Sequence, residues 1–392
     1  MTTSGYVKRV SAAKSGILRG KKVLLGSLDI ELTERCNNRC IHCLINLPED
    51  DARAKEREMD TAFVKDLLRQ AAELGCMMVR FTGGEPLLRE DFSEIYLAAR
   101  RLGMKVILFT NGRLITEELA ALFERIPPRK VIEISVYGMH PASYDAVAAS
   151  KGAFAEFRRG VDLLRAHNVP FIVKGAILPQ NRDEMAEFNE WAATIPAMDR
   201  QPTYAMNFDL RTRRDDPEKN RRIAALRLSP EETLALLSKN ASYVSLMQEF
   251  VTRFMHPAGD RLFSCGSGHG TCIDAYGFAQ MCMPLRHPDT VFDLRKHTLR
   301  ELITGIFPEL REKRAENPEY LRRCAKCFLH GLCEQCPGKS WTEHGTLDTP
   351  VEYLCEVAHA QARYLGLVGK DEQAWDVADW KARIEKFCTT PS

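Results

Sequence analysis

No run of about 18 apolar residues occurs anywhere in the chain, so no membrane-spanning helix is expected. The N-terminus lacks the apolar core of a signal peptide, and a cytoplasmic protein is the expectation. Charge of one sign is also missing: 55 basic residues stand against 53 acidic ones. A nucleic-acid-binding domain would be basic, so nucleic acid is not an expected partner. The local exception is the first 28 residues, which carry Lys8, Arg9, Lys14, Arg19, Lys21 and Lys22 and no acid. A basic run of this kind reads as a solvated arm, or as a segment that contacts a partner. What remains is a chain of 392 residues with 45% hydrophobic content, enough for two or three domains of roughly 100–200 residues each.

Cysteine is the residue in surplus, with 13 copies. A reducing compartment disfavours structural disulfides, so this number points to metal binding or catalysis. Cys76 and Cys388 stand apart and read as small buried thiols. The other cysteines form two groups. The first is Cys36-Asn37-Asn38-Arg39-Cys40-Ile41-His42-Cys43, just past Ser27–Thr33, whose alternation predicts a strand. Three thiols on such a loop can hold a [4Fe–4S] cluster and leave one iron open, because the cluster takes four ligands. A zinc site with His42 as fourth ligand is the competing reading.

Strands and helices then alternate. Helix patterns at 61–74, 91–102, 117–125, 153–166 and 182–194 separate strand patterns at 77–82, 105–110, 131–136, 171–176 and 204–208. Such alternation predicts a parallel sheet with right-handed crossovers. Polar residues sit repeatedly at strand ends, the edge where parallel α/β folds bind ligands. Eight strand–helix units need about 250 residues; fewer are present here, so a partial (β/α)6 TIM-like barrel is expected over 26–215.

Strand 77–82 runs into Gly83-Gly84-Glu85-Pro86. The glycines allow close backbone approach to a ligand, and Glu85 could hold a cation or fix the loop. Cys36-x3-Cys40-x2-Cys43 followed by Gly83-Gly84-Glu85-Pro86 resembles the radical S-adenosylmethionine (SAM) superfamily. The resemblance implies that the open iron binds the amino and carboxylate groups of SAM. It places the backbone of Gly83, Gly84 and Glu85 at the methionyl amino group, Ser135 on SAM, and His42 and Ile177 near the adenine. It implies reductive cleavage to a 5′-deoxyadenosyl radical that abstracts a substrate hydrogen, with an external reductant such as flavodoxin or ferredoxin. Arg211 is the arginine best placed to pair a SAM or substrate carboxylate; the alternative is a solvated turn.

A helical connector is expected over 216–260, with Ser229 as N-cap and Pro230 in the first turn. Beyond it lie Cys265, Cys272 and Cys282, a hairpin turning at Gly277, then Cys324-x2-Cys327-x5-Cys333-x2-Cys336 and Cys355. Eight thiols suffice for two fully ligated [4Fe–4S] clusters. Zinc ribbons space their pairs more widely than five residues. The pattern resembles the SPASM domain of radical SAM enzymes, a small Cys-rich α+β domain expected over 261–356. Its usual form has three residues between the last two clustered cysteines, where this chain has Glu334 and Gln335. The resemblance assigns one auxiliary cluster to Cys265, Cys272, Cys282 and Cys336 and the other to Cys324, Cys327, Cys333 and Cys355. Residues 357–392 read as a helical tail docked by Trp375 and Trp380.

Enzymes of this resemblance crosslink or dehydrogenate peptides, make formylglycine in sulfatases, or act on small molecules. Sulfatase-maturing enzymes carry an Asp after the hairpin cysteine, where Met283 stands here. The 25 or so residues before the first strand are too few for a leader-binding winged helix. Either a separate protein binds the leader of a peptide substrate or the substrate is small. Oxidative peptide modification with three [4Fe–4S] clusters is the leading expectation; no catalytic acid or base is assigned. An Fe–S electron-transfer protein without substrate chemistry is the alternative of another class.

Overall fold

The computed structural model describes residues 25–240, 243–263 and 270–389. The basic arm and Cys265 lie outside them. The described chain divides into two compact units: residues 25–205, 270–283 and 288–308, and residues 206–263, 284–287 and 309–389.

The first unit is built on one sheet. Its strands are β1 (Ser27–Thr33), β2 (Met78–Gly83), β3 (Lys105–Thr110), β4 (Arg129–Val136), β5 (Phe171–Ala176), β6 (Tyr204–Ala205), β7 (Gly270–Ile273), β8 (Phe278–Gln280) and β9 (Phe292–Asp293). The order is β9-β8-β7-β1-β2-β3-β4-β5-β6. Strands β1 to β6 are parallel and follow chain order, as in the expected partial barrel. The hairpin at Gly277 forms as expected. Its first strand, β7, extends this sheet by pairing in parallel with β1, Ser27 opposite Gly270.

Side-chain alternation explains the layering. Leu28, Ile30 and Leu32 of β1 are fully buried, as are Val79 and Phe81 of β2 and Ile132 and Ile134 of β4. Helices α1 (Ala52–Arg57), α2 (Thr61–Glu73), α3 (Phe92–Arg101), α4 (Glu117–Arg125), α5 (Pro141–Ala148), α6 (Ala153–Ala166) and α7 (Met185–Ala193) connect these strands. Asp60 caps α2 by accepting from the Phe63 N–H at 2.7 Å, which satisfies one of the helix's orphan donors. Phe92, Tyr96 and Phe123 meet at ring distances of 5.3–6.5 Å under the sheet.

The second unit is helical. It contains Pro217–Ala225, Pro230–Leu237, Tyr243–Phe254, Pro337–His344, Glu352–Tyr364 and Trp380–Thr389. Ser229 caps the helix at Pro230 as expected, and Glu232 returns the bond to make the cap reciprocal. Its core gathers Tyr243, Val251, Phe328, Leu329 and Leu367, with Trp380 stacked 5.9 Å from Phe328. No described helix is long and apolar enough to cross a membrane.

Candidate metal and cofactor centres

The loop after β1 holds Cys36, Cys40 and Cys43. Its backbone is fixed from both ends. Arg35-Cys36 pairs in parallel with Leu47-Pro48, and Arg35 reaches Glu58 at 2.8 and 3.1 Å. Arg39 and Ile41 donate their N–H groups to Ala148 and Val147 at the end of α5. Arg113 donates to the Asn37 carbonyl and the Asn38 side chain, and its guanidinium pairs with Glu156 at 2.6 Å. The Cys36 sulfur accepts from the Asn38 N–H at 3.4 Å and the Asn111 amide at 3.8 Å. Burial pushes the Cys36 thiol well above its ordinary range, and the nearby Cys40, Glu85 and Cys43 add to this. His42 lies edge-on to Tyr137, centroids 5.6 Å apart, and Tyr137 to Tyr144 at 5.4 Å.

The Gly-Gly-Glu-Pro turn is zipped to the same loop. The Gly84 N–H donates to Thr33 O at 2.7 Å and the Glu85 N–H to Arg35 O at 2.9 Å. A Cβ at Gly83 would sit 2.1 Å from Thr33 O, and one at Gly84 2.1 Å from Arg35 O. The sequence reading gave this glycine pair close approach to a ligand. In the fold the backbone they admit is that of Thr33–Arg35. Glu85 is fully buried and accepts from the Thr110 hydroxyl at 2.8 Å, the Asn111 N–H at 2.8 Å and the Leu87 N–H at 3.1 Å. Of the two roles considered for Glu85, fixing the loop is the one these bonds perform. Burial lifts its carboxyl to about 7 against those hydrogen bonds.

The other face of the strands is polar. Asp29 pairs with Arg80 at 2.7 Å and Glu133 with Lys174 at 2.6 Å. Phe109 carries both cations, Arg80 at 4.8 Å and Lys174 at 3.7 Å from its ring centroid. Ser135, in register with Lys174 near the end of β4, is half-buried. Ile177 is buried just past β5 and donates its N–H to Ala205 O at 2.9 Å. His42, Gly83, Gly84, Glu85, Ser135 and Ile177 therefore share the C-terminal edge of the parallel strands. Arg211 belongs to the second unit, where its buried guanidinium makes a two-point pair with Asp215 at 2.6 and 3.0 Å.

In the second unit, five thiols line one pocket: Cys324, Cys327, Cys333, Cys336 and Cys355. Leu262, Tyr320, Leu329 and Ala358 make the wall apolar. Burial raises the Cys324 thiol to about 11 and Cys327 to about 12, and Cys333 further. Thiols in such a place suit a cation that deprotonates them outright. Thiolates are the ligand type of iron–sulfur clusters, so the donor set fits that group. The Cys36 loop fits it likewise, with three sulfurs on a clamped backbone. Cys272 is buried on β7 and Cys282 follows β8, both in the first unit. No disulfide joins the described cysteines. Among the described residues, no three His, Cys, Asp or Glu side chains close on one point as a single ion requires. Each cluster thiolate binds a different iron, so cluster ligands stand farther apart.

Sequence reading missed Arg113, Asn38 and Tyr144 around the loop, and Arg323 and His359 around Cys355. The last two had a signal: Arg323 precedes a candidate ligand, and His359 lies four residues after Cys355 on a helical pattern.

Residues 30–192 match the Radical SAM superfamily, and this part of the chain is a radical SAM domain. Among curated relatives, the AdoMet-dependent heme synthase of Methanosarcina barkeri is 25% identical over 335 residues, covering 80% of this chain and 92% of that protein. The PqqA peptide cyclase of Xanthomonas campestris pv. campestris is 33% identical over 171 residues, 43% of this chain. The chain spans only 44% of that cyclase's length. Among solved structures, anSMEcpe with bound AdoMet superposes with TM-score 0.59 at 14% identity, over 92% of this chain and 98% of that one. Streptococcus suis SuiB bound to the precursor peptide SuiA gives 0.58 at 15% identity, over 76% and 69%. These likenesses show the fold.

Proposed function

We propose that the protein binds SAM at a [4Fe–4S] cluster on Cys36, Cys40 and Cys43 and oxidatively modifies a peptide, with two auxiliary clusters in a SPASM region. When bound, the first cluster would supply the one electron that splits SAM into methionine and a 5′-deoxyadenosyl radical, which would become 5′-deoxyadenosine on taking a hydrogen atom from an unactivated substrate carbon. The observation that carries the reading is the backbone zipper between the three-thiol loop and Gly84-Glu85, which fixes a cluster-holding loop against the turn proposed to meet the methionyl group. Arg113, Arg35 and the end of α5 hold that loop in place. His42 and Ile177 offer flat and apolar surface for the adenine. The charged inner face, Asp29–Arg80 and Glu133–Lys174, offers polar groups to orient substrate. Cys324, Cys327, Cys333 and Cys355 take one auxiliary cluster. Cys265, Cys272, Cys282 and Cys336 are the set proposed for the other. A flavodoxin or ferredoxin is the proposed reductant, and a separate leader-binding protein the proposed helper.

The test is anaerobic reconstitution, reduction, and chromatography for 5′-deoxyadenosine. Its formation is expected; its absence from iron-replete protein overturns the reading and leaves an electron-transfer role. The heme synthase likeness, which spans most of both chains, favours a second reading in which the substrate is a small molecule such as a tetrapyrrole. Mass spectrometry on a short peptide encoded beside the gene separates the two: loss of hydrogen mass supports the peptide, and turnover of a porphyrin precursor instead supports the small molecule.

A further inference from the structure

One wall of the five-thiol cavity is built unlike the rest. Arg323 donates to the Cys355 sulfur at 3.5 Å. Its guanidinium lies 4.8 Å from the Trp375 ring centroid and meets Glu352 at 2.6 and 2.8 Å. His359, one helical turn after Cys355, places Nδ1 at 3.5 Å from the same sulfur and 2.8 Å from the Cys355 carbonyl. The Ala374 N–H donates to His359 Nε2 at 3.1 Å. That donation makes Nε2 an acceptor and leaves the proton on Nδ1, facing the sulfur and carbonyl of Cys355. The imidazole is almost fully buried, edge-on to Trp375 at 5.4 Å. Arg323, Cys355, His359 and Trp375 also line an open cleft.

We infer that Arg323 and His359 are positioning residues that aim a fixed positive charge and two N–H donors at the Cys355 sulfur, raising the reduction potential of the cluster ligated there. The inference rests on the reading of this cavity as a cluster site. On reduction a [4Fe–4S]2+ cluster gains one electron and becomes [4Fe–4S]1+. A neighbouring guanidinium favours the more negative state, and hydrogen bonds to ligand sulfur act in the same direction. Outer partners of metal ligands act in this way generally.

The experiment uses the full chain with Cys36, Cys40 and Cys43 replaced by Ala, so that only auxiliary clusters titrate. Dithionite supplies the electrons, and electron paramagnetic resonance reads the reduced fraction. The component lost in an added Cys324→Ala/Cys327→Ala variant is the one followed. Arg323→Met is expected to cut its reduced-to-oxidised ratio about tenfold at fixed potential, a shift of about 59 mV for one electron. Arg323→Lys is expected to recover part of the shift. Glu352→Gln is expected to move the midpoint the opposite way, because it removes the counter-charge; a merely structural role would move both variants together. Where Arg323→Met loses iron, His359→Gln is read instead, with the same sign and a smaller shift. Unchanged midpoints with iron retained overturn this inference alone. Unchanged iron in Cys324→Ala/Cys327→Ala overturns the cluster reading beneath it.

Discussion

The two cysteine regions hold their sulfurs by opposite means. The Cys36 loop is fixed through its backbone, by Arg35, Arg113 and the N–H groups of Arg39 and Ile41, and its polar neighbours are Asn38, Asn111 and Glu85. The second-unit thiols come from loops and helices around an apolar cavity, with side-chain N–H donors gathered on Cys355. A loop held by main-chain bonds keeps its shape whichever ligand joins the open position. A cavity lined by five thiols needs no open position, and its adjustable quantity is the electrostatics of its wall. On the proposed reading, the contrast amounts to a division of labour: one site to admit a ligand, the other to hold a group closed.

Replacing the thiols tests that division with the largest effect. Cys36→Ala/Cys40→Ala/Cys43→Ala is expected to abolish 5′-deoxyadenosine formation and remove about a third of the iron, as one of three four-iron groups would. Cys324→Ala/Cys327→Ala is expected to remove a similar share of iron yet leave SAM cleavage measurable. Equal loss of cleavage in both would break the contrast. Glycine substitution sharpens it next. At Gly84 a Cβ meets Arg35 O at 2.1 Å, whereas at Gly338 in the second unit the nearest atom is 3.2 Å away. Gly84→Ala is expected to cost about 3 kcal/mol in urea unfolding, as overpacking does, and Gly338→Ala clearly less.

Glu85 gives a pH signature of similar size. Its folded value of about 7 lies above the ordinary 4.5, so the folded state holds the proton more tightly. That stability is full below pH 4.5 and is lost as pH rises towards 7, about 3 kcal/mol across the window. Glu85→Gln is expected to flatten the fall in urea midpoint of the metal-free protein between pH 5 and 8. The smallest effect belongs to His167, half-buried between Glu117 and Glu124, whose carboxylates raise its value. Its contribution is present below pH 6.5 and fades as pH rises through the raised value. His167→Gln is expected to remove that slight slope from the melting temperature.

Local pattern read much of the first unit directly. Strands 105–110 and 171–176 and helices 117–125 and 153–166 stand where periodicity put them. Turn residues bounded each run, so period and punctuation agreed. Helix α5 escaped because it is short and weakly sided, with Tyr144 and Val147 buried and no long apolar stripe. The hairpin at Gly277 was legible, but its pairing with β1 was not, since period reveals a strand and not its neighbour. The glycine pair was marked as a close approach to a ligand, whereas the backbone it admits is that of Thr33–Arg35, visible only in three dimensions. The resemblance grouped Cys324, Cys327, Cys333 and Cys355 and set Cys336 with the other cysteines; in the fold all five line one pocket, a convergence that linear spacing does not reveal. Nor does it reveal the clamp on Cys355, because Arg323 reaches it from another segment.

The parallel pairing of β1 with β7 also sets an order of events during synthesis. Ser27 emerges early, and its neighbour Gly270 only after most of the chain has been made. Strands β1 to β6 can pair as they appear, which suits N-terminal-first folding on the ribosome. The outer edge of β1 then stays open, a long-range contact awaited, and such contacts are slow to form. The strand that leads into the Cys36 loop is thus the last of the parallel set to be enclosed on both sides. Until β7 arrives, that edge of β1 has no strand to pair with.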